Sequence, residues 1–294
     1  MTRRTIVLSM VVGVGAAAAA MAPVRAQQQN VAKLEKLKDN LYVIKGGGGN
    51  TAAFITANGV VVVDTKLAGW GQAILDQIKT VTNKPVTMII NTHTHGDHVG
   101  GNPEFPATVD VVAQENTKAN MEKMAPFQSD SGKGHLPKRT FKDKMSLLSG
   151  SDRIDLYYFG RGHTNGDAFV VFPALRVMHA GDLFPGKQAP IMDTNNGGSG
   201  VDYPKTLAGA VKGISGIDTV IPGHSNVTDW NAFVEFGQFV DAFVGAARTA
   251  LTSGKSADDA AAAISLPPQY KDYDMQRLKT DVEVIATELK SSGR

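Results

Sequence analysis

Apolar residues along this chain fall into short runs that alternate with stretches of helical spacing. Leu41–Ile44, Ala52–Thr56 and Gly59–Asp64 read as short strands, alternating or continuously apolar. Trp70–Lys79 reads as a helix with Ala73, Ile74 and Ile78 on one face. Thr87–Ile90 and Thr108–Val112 read as buried strands, and Gln114–Met124 as a helix. From Pro126 to Asp143 the chain is polar and basic, which predicts a surface loop.

The second half repeats the theme. Arg153–Phe159, Ala168–Phe172 and Leu175–His179 read as strands, Tyr203–Val211 as a helix, and Thr219–Pro222 as a strand edge. A long helix follows, its Phe233, Phe236, Val240, Phe243, Val244, Ala247 and Leu251 forming a core stripe. Ala257–Ile264 and Met275–Lys290 are two further helices around the Pro267-Pro268 break. No linker parts the halves, so the pattern predicts one α/β domain of two similar βα lobes. Its main body spans residues 27–255, and residues 256–294 form a helical extension packed on it.

Residues 1–26 stand apart from this pattern. Arg3 and Arg4 lead into an apolar run, Ile6 to Met21, and Val24-Arg25-Ala26 offers small residues for cleavage. That predicts a signal peptide for a periplasmic or secreted protein, with twin-arginine export as an alternative route. Without Arg3, Arg4 and Arg25, the 30 basic residues become 27 against 28 acidic, a net charge of −1. Such a chain gives no case for binding nucleic acid, nor for stable membrane insertion after cleavage. It has no cysteine, so neither disulfides nor thiolate ligands are available.

The chemistry concentrates at residues 93–98. Three of the seven histidines fall within His93-Thr94-His95-Gly96-Asp97-His98, interleaved with a carboxylate. Imidazole and carboxylate are ligands for Zn²⁺ and similar borderline cations. The run leaves the C-terminal end of a buried strand, where α/β proteins build sites. His163, in the turn Gly160 to Gly166, Asp182 after Leu175–His179, and His224 after Val220–Pro222 also lie at strand ends beside glycine. Asp64 ends the strand Val60–Val63.

In these residues the chain resembles the metallo-β-lactamase superfamily, from about Val43 to Ser225. Asp64 is similar to the carboxylate of that family's first motif, and residues 93–98 to the second. His163, Asp182 and His224 match the third, fourth and fifth. The resemblance implies an αββα four-layer sandwich, with extra C-terminal helices here. It implies two Zn²⁺, one held by His93, His95 and His163 and one by Asp97, His98 and His224, with Asp182 between them. Manganese or iron stays open. Asp64 would hold a ligand histidine in one tautomer. The implied activity is that of a hydrolase in which a metal-bridging hydroxide, oriented by Asp97, attacks a carbonyl of a small molecule: a β-lactam amide, ester, lactone or thioester.

Substrate class rests on departures from the pattern. The β-lactamases that the chain resembles carry cysteine in the fourth motif, where this chain has Asp182, and a lysine soon after it. Here the nearest is Lys187, which reads equally as a carboxylate grip and as a solvated lysine. The glycine run Gly46–Gly49 reads as a flexible hairpin tip. Asn195 and Asn196 stand where those enzymes hold the lactam carbonyl, and export also favours β-lactams. A β-lactamase and a dedicated ester or thioester hydrolase therefore weigh the same. A mononuclear iron persulfide oxygenase is disfavoured, because every second-metal position is kept. His179 reads as a packed histidine, His135 as a surface one, and Trp70 and Trp230 as packing.

Overall fold

The computed structural model describes residues 31–291, so the leader lies outside the described residues. One sheet is built from β1 (Lys33–Lys36), β2 (Leu41–Lys45), β3 (Thr51–Ile55), β4 (Val60–Val63), β5 (Val86–Ile90), β6 (Asp110–Gln114) and β7 (Arg139–Phe141), in sequence order. Its first four strands are antiparallel, and β4 to β7 are parallel. Between them lie α1 (Gly71–Lys79), α2 (Gly96–Val99), α3 (Glu115–Met121) and α4 (Asp130–Lys133).

The second sheet runs β8 (Lys144–Leu147), β9 (Ile154–Tyr157), β10 (Phe169–Phe172), β11 (Val177–Gly181), β12 (Thr219–Pro222) and β13 (Thr228–Asp229). In it only β11 and β12 pair in parallel. α5 (Tyr203–Gly213), α6 (Trp230–Thr252), α7 (Ala257–Ala263) and α8 (Leu278–Ser291) complete the described chain. Among the described residues no helix is long and apolar enough to cross a membrane.

Alternation along the strands sorts the side chains into layers. In β4, Val61 and Val63 join Phe54, Phe172 and Val177 between the sheets, while Val60 and Val62 join Ile74 and Ile78 beneath α1. A strand covered on both faces reads as an unbroken apolar run, which is why Val60–Val63 shows no period of two. The aromatic stripe of α6 lies in a third cluster with Val282, Ile285 and Leu289 of α8. Asp229 caps α6 by accepting from the Ala232 N–H. The fold is thus the αββα sandwich, with the C-terminal helices on the α6 side.

The expected loop at 126–143 is a correction. It contains α4 and β7, and Phe127 is buried with Val99 and Met121. The edge strands β1 and β8 were also invisible in the apolar pattern, for the same physical reason. Edge positions carry charge, which discourages sheet-to-sheet association. Arg139 pairs with Asp110 at 2.5 Å, Glu35 with Lys33 at 2.8 Å and Lys45 at 3.0 Å, and the Lys144 ammonium lies over the Tyr157 ring.

Candidate metal centre

The C-terminal ends of the parallel pairs β4/β5 and β11/β12 converge on one place. Asp64 follows β4, His93 to His98 follow β5, Asp182 follows β11 and His224 follows β12. His163 reaches the same place from the β9–β10 connection. Ligand atoms of His93, His95, His163 and Asp182 form one group, each within 4.8 Å of the others, and those of Asp97, His98 and His224 form a second. Asp64 lies behind, in a third group with His93 and His98.

The outer ring nitrogens show which way these imidazoles are wired. His98 Nδ1–H donates to Asp64 Oδ2 at 2.7 Å. Thr92 Oγ1–H donates to the same oxygen at 2.7 Å, so it accepts from His93 Nδ1–H at 2.9 Å. Asp64 Oδ1 also accepts from the Thr92 N–H. One carboxylate thereby fixes the tautomers of two histidines, one in each group. His163 Nδ1–H donates to the Ile191 carbonyl at 2.8 Å, and His95 Nε2–H to Asp193 Oδ2 at 2.6 Å.

With their outer nitrogens donating, His95 and His163 present inner lone pairs to each other, while His224 Nε2 faces both His98 and Asp182. His163 Nε2 and His95 Nδ1 lie 2.9 Å apart, and His98 Nε2 and His224 Nε2 3.4 Å. Buried His93 Nε2 and Asp182 Oδ1 have no hydrogen-bond partner. Facing lone pairs repel unless a cation sits between them. Zn–N bonds of about 2.0–2.1 Å give a tetrahedral site with edges of about 3.3–3.4 Å. Here Asp182 lies 3.3 Å from His98, 3.1 Å from His224 and 3.6 Å from His163, while Asp97 lies 3.3 Å from His224 and 3.6 Å from His98. The donor set fits divalent metal of the zinc type.

Protonation obeys the same geometry. Burial disfavours charge on His98, yet Asp182 and Asp64 outweigh it and hold its pKa well above the ordinary imidazole range. A hydrogen bond to Asp182 raises that of His224. For His93 burial, with His98 and His163 beside it, outweighs the pull of Asp182 and holds its pKa well below the ordinary range. His163 is also lowered by burial. Asp182 is buried too, but its histidines keep its carboxyl well below the usual range.

Three participants carried no motif signal. Thr92 and Asp193 act only through hydrogen bonds across the fold. Lys66 is the third: wholly buried, it donates from Nζ to the Gly49 carbonyl at 2.7 Å. Burial lowers its pKa to about 8, partly offset by Asp64 and Asp97. A lysine two residues past a strand-ending carboxylate was the available clue. The residues Asp64 (φ 60°) and Lys66 (φ 66°) are both left-handed, a sign of a constrained turn.

Lys66 explains the second correction, at Gly46–Gly49, which is no free hairpin tip. Gly49 N–H donates to the Asp97 carbonyl at 3.1 Å and Leu67 N–H to that of Gly47 at 3.0 Å. A Cβ on Gly48 would lie 2.8 Å from Asp97 Cβ, and one on Gly49 2.2 Å from the His98 ring. Glycine is required because the backbone lies flush against the candidate ligands Asp97 and His98.

The remaining candidates are placed as follows. Asn196 donates from Nδ2 to Asp193 Oδ2 at 2.6 Å, so its amide is engaged in holding the partner of His95. Asn195 is exposed. Lys187 pairs with Glu235 at 3.3 Å and lies over Tyr273, on the α6 side. His179 is buried and bonds to Asn50 O, Trp70 packs against the Gly46–Gly47 backbone, and Trp230 contacts Phe233.

Comparison with known proteins agrees with this geometry. The metallo-beta-lactamase superfamily profile matches residues 44–227, and the chain belongs to that superfamily. It is 28% identical over 220 residues to a metallo-beta-lactamase type 2 from Elizabethkingia meningoseptica, covering 70% of this chain and 84% of that one. The DIM-1 metallo-beta-lactamase superposes with a TM-score of 0.60 at 19% identity, over 72% of this chain and 97% of that one. The sec-alkylsulfatase Pisa1 from Pseudomonas sp. gives a TM-score of 0.73 at 15% identity, covering 87% of this chain and half (50%) of its own. At these identities the structural likenesses concern the fold. The protein is a metal-dependent hydrolase of this superfamily, acting on small molecules.

Proposed function

We propose that the protein is an exported, zinc-dependent hydrolase of small carbonyl compounds, with two cations at the centre. One would be held by His93, His95 and His163 and one by Asp97, His98 and His224, both sharing Asp182. The observation that carries this reading is the pair of opposed lone pairs at His95 and His163, 2.9 Å apart, beside the unpartnered His93 Nε2. Bound cations would supply Lewis acidity for the substrate carbonyl and lower the pKa of a shared water to near neutrality. The Asp97 carboxylate, about a third exposed (29%), would orient that water and take its proton. Exposed Asn195 would be the amide that meets the substrate carbonyl. The catalytic domain spans 27–255, and the leader directs it to the periplasm or beyond.

Within this class, ester, lactone or thioester cleavage is favoured over β-lactam cleavage. Lys187, the lysine that could grip a drug carboxylate, is occupied by Glu235 and Tyr273. The similarity to metallo-beta-lactamases supports β-lactam turnover as the second reading. The test is a panel of penicillin, cephalosporin, carbapenem, lactone, thioester and phosphodiester with zinc-loaded mature protein. We expect kcat/KM for a thioester or lactone to exceed that for every β-lactam, with β-lactams showing high KM. Saturation by a cephalosporin at about micromolar concentration would reverse the preference. About two zincs per chain supports the hydrolase, whereas one iron supports an oxygenase.

A further inference from the structure

The outer nitrogens of His95 and His163 both end on one segment, residues 183–202, through Asp193 and the Ile191 carbonyl. That segment contains only one turn of regular structure, Thr194–Asn196. From the core it is held by Asp193 N–H donating to His163 O, Ser199 N–H to Gly162 O and Asn165 N–H to Asn196 O. From the outside it is held by the C-terminal extension. Ala189 N–H donates to Asp274 O at 2.7 Å, and Asp274 N–H to Lys187 O at 3.1 Å. Ile285 of α8 packs on Gly200, where a Cβ would lie 2.7 Å from its Cγ1.

Glu288 of α8 is the one carboxylate in this contact. It accepts from the Ser199 hydroxyl and, at 3.1 Å, from the Val201 N–H. It also faces the Arg161 guanidinium at 3.4 Å, which itself pairs with Asp202 at 2.6 Å. Arg161 lies two residues before His163, and Ser199 six after Asp193. Glu288 therefore ties together both stretches that orient the His95 and His163 rings. Among the described residues no side chain of α8 bonds beside Asp97, His98 or His224; the segment reaches His224 only at its far end, where Gly223 N–H donates to Phe184 O, and the other supports are Asp64, the glycine run and Asn50.

We infer that α8 is a clamp on one metal position, and that Glu288 is a positioning residue for the His93/His95/His163 site alone. The inference rests on the two-cation reading above. Its test uses the full chain, Co²⁺ as the probe, and chelator competition and visible absorption as readouts. Glu288→Gln is placed in two backgrounds. His224→Ala leaves the first position, and His95→Ala leaves the second.

In the His224→Ala background, Glu288→Gln should weaken Co²⁺ binding several-fold, less than the roughly 10–100-fold of losing a partner bonded directly to a ligand histidine. In the His95→Ala background it should change nothing. Equal weakening in both backgrounds, or none in either, overturns the inference. If Glu288→Gln does not fold, Ser199→Ala removes one of the same bonds and faces the same two outcomes. Failure of the unsubstituted protein to bind two Co²⁺ would instead defeat the two-cation reading.

Discussion

The two halves of the candidate metal centre share Asp182 and Asp64 but differ in enclosure. His93 and His163 are fully buried, and His95 is braced by Asp193; all three rings have a fixed acceptor on the outer nitrogen. In the other half only His98 is so held. His224 is about a third exposed (34%), with no acceptor on its outer nitrogen among the described residues, and Asp97 is 29% exposed. A pre-formed ligand set loses less freedom on binding a cation than one with a loose arm. On the two-cation proposal, the enclosed half would retain its cation and the open half would exchange with water and substrate.

The strongest way to break this contrast is to remove what the halves share. Asp182→Ala should abolish turnover and lower bound zinc to less than about one per chain, as read by metal analysis, because both sites lose a ligand. Next come the single-sided changes. His95→Ala should eliminate activity while far-UV circular dichroism stays native, leaving only weakly held metal. His224→Ala should retain one tightly held zinc that survives dialysis against a mild chelator. Equal zinc loss in the two variants would erase the distinction between the halves.

A milder test is acid. Metal must displace protons from its histidines. His98 and His224 hold theirs above the ordinary range, whereas His93 and His163 give theirs up below it. As pH falls, the open half should lose zinc first and the enclosed half at lower pH. Two steps in a zinc-release titration would show this, and a single step would contradict it.

The smallest effect contrasts Asp182 with a second buried carboxyl, Asp281 of α8. Both oxygens of Asp281 lack hydrogen bonds, and burial lifts its pKa from 3.8 to about 7, with Arg277 only partly opposing. A carboxyl raised in the folded state favours folding most when protonated, so that contribution fades as pH rises from about 4 to 7. Asp281→Asn should accordingly raise Tm at pH 8, by stability on the order of 1–3 kcal/mol, and leave it nearly unchanged at pH 4. An equal gain at both pH values would point to packing instead of charge.

Which parts of this were legible beforehand follows from what each signal measures. Strands covered on both faces, such as Val60–Val63, and the α6 stripe announce themselves because burial selects apolar side chains locally. Charged edge strands do not, since β1, β7 and β8 owe their existence to a neighbour's unpaired backbone. The glycine run misled because local flexibility and close packing both call for glycine, and only Asp97, His98 and Lys66 show which applies here.

By itself the sequence determined the four-layer architecture and which residues could gather as metal ligands, the H-x-H-x-D-H run with Asp64, His163, Asp182 and His224. Side-chain chemistry and strand-end placement are local properties. Tertiary structure alone decided the tautomers, the shared role of Asp64, the buried Lys66, the diversion of Lys187 to Glu235 and the reach of α8 to Ser199. Each depends on a contact between residues far apart in the chain. Hydrogen bonds and ion pairs of that kind leave no periodic trace, because their partners meet only once the sheets have packed.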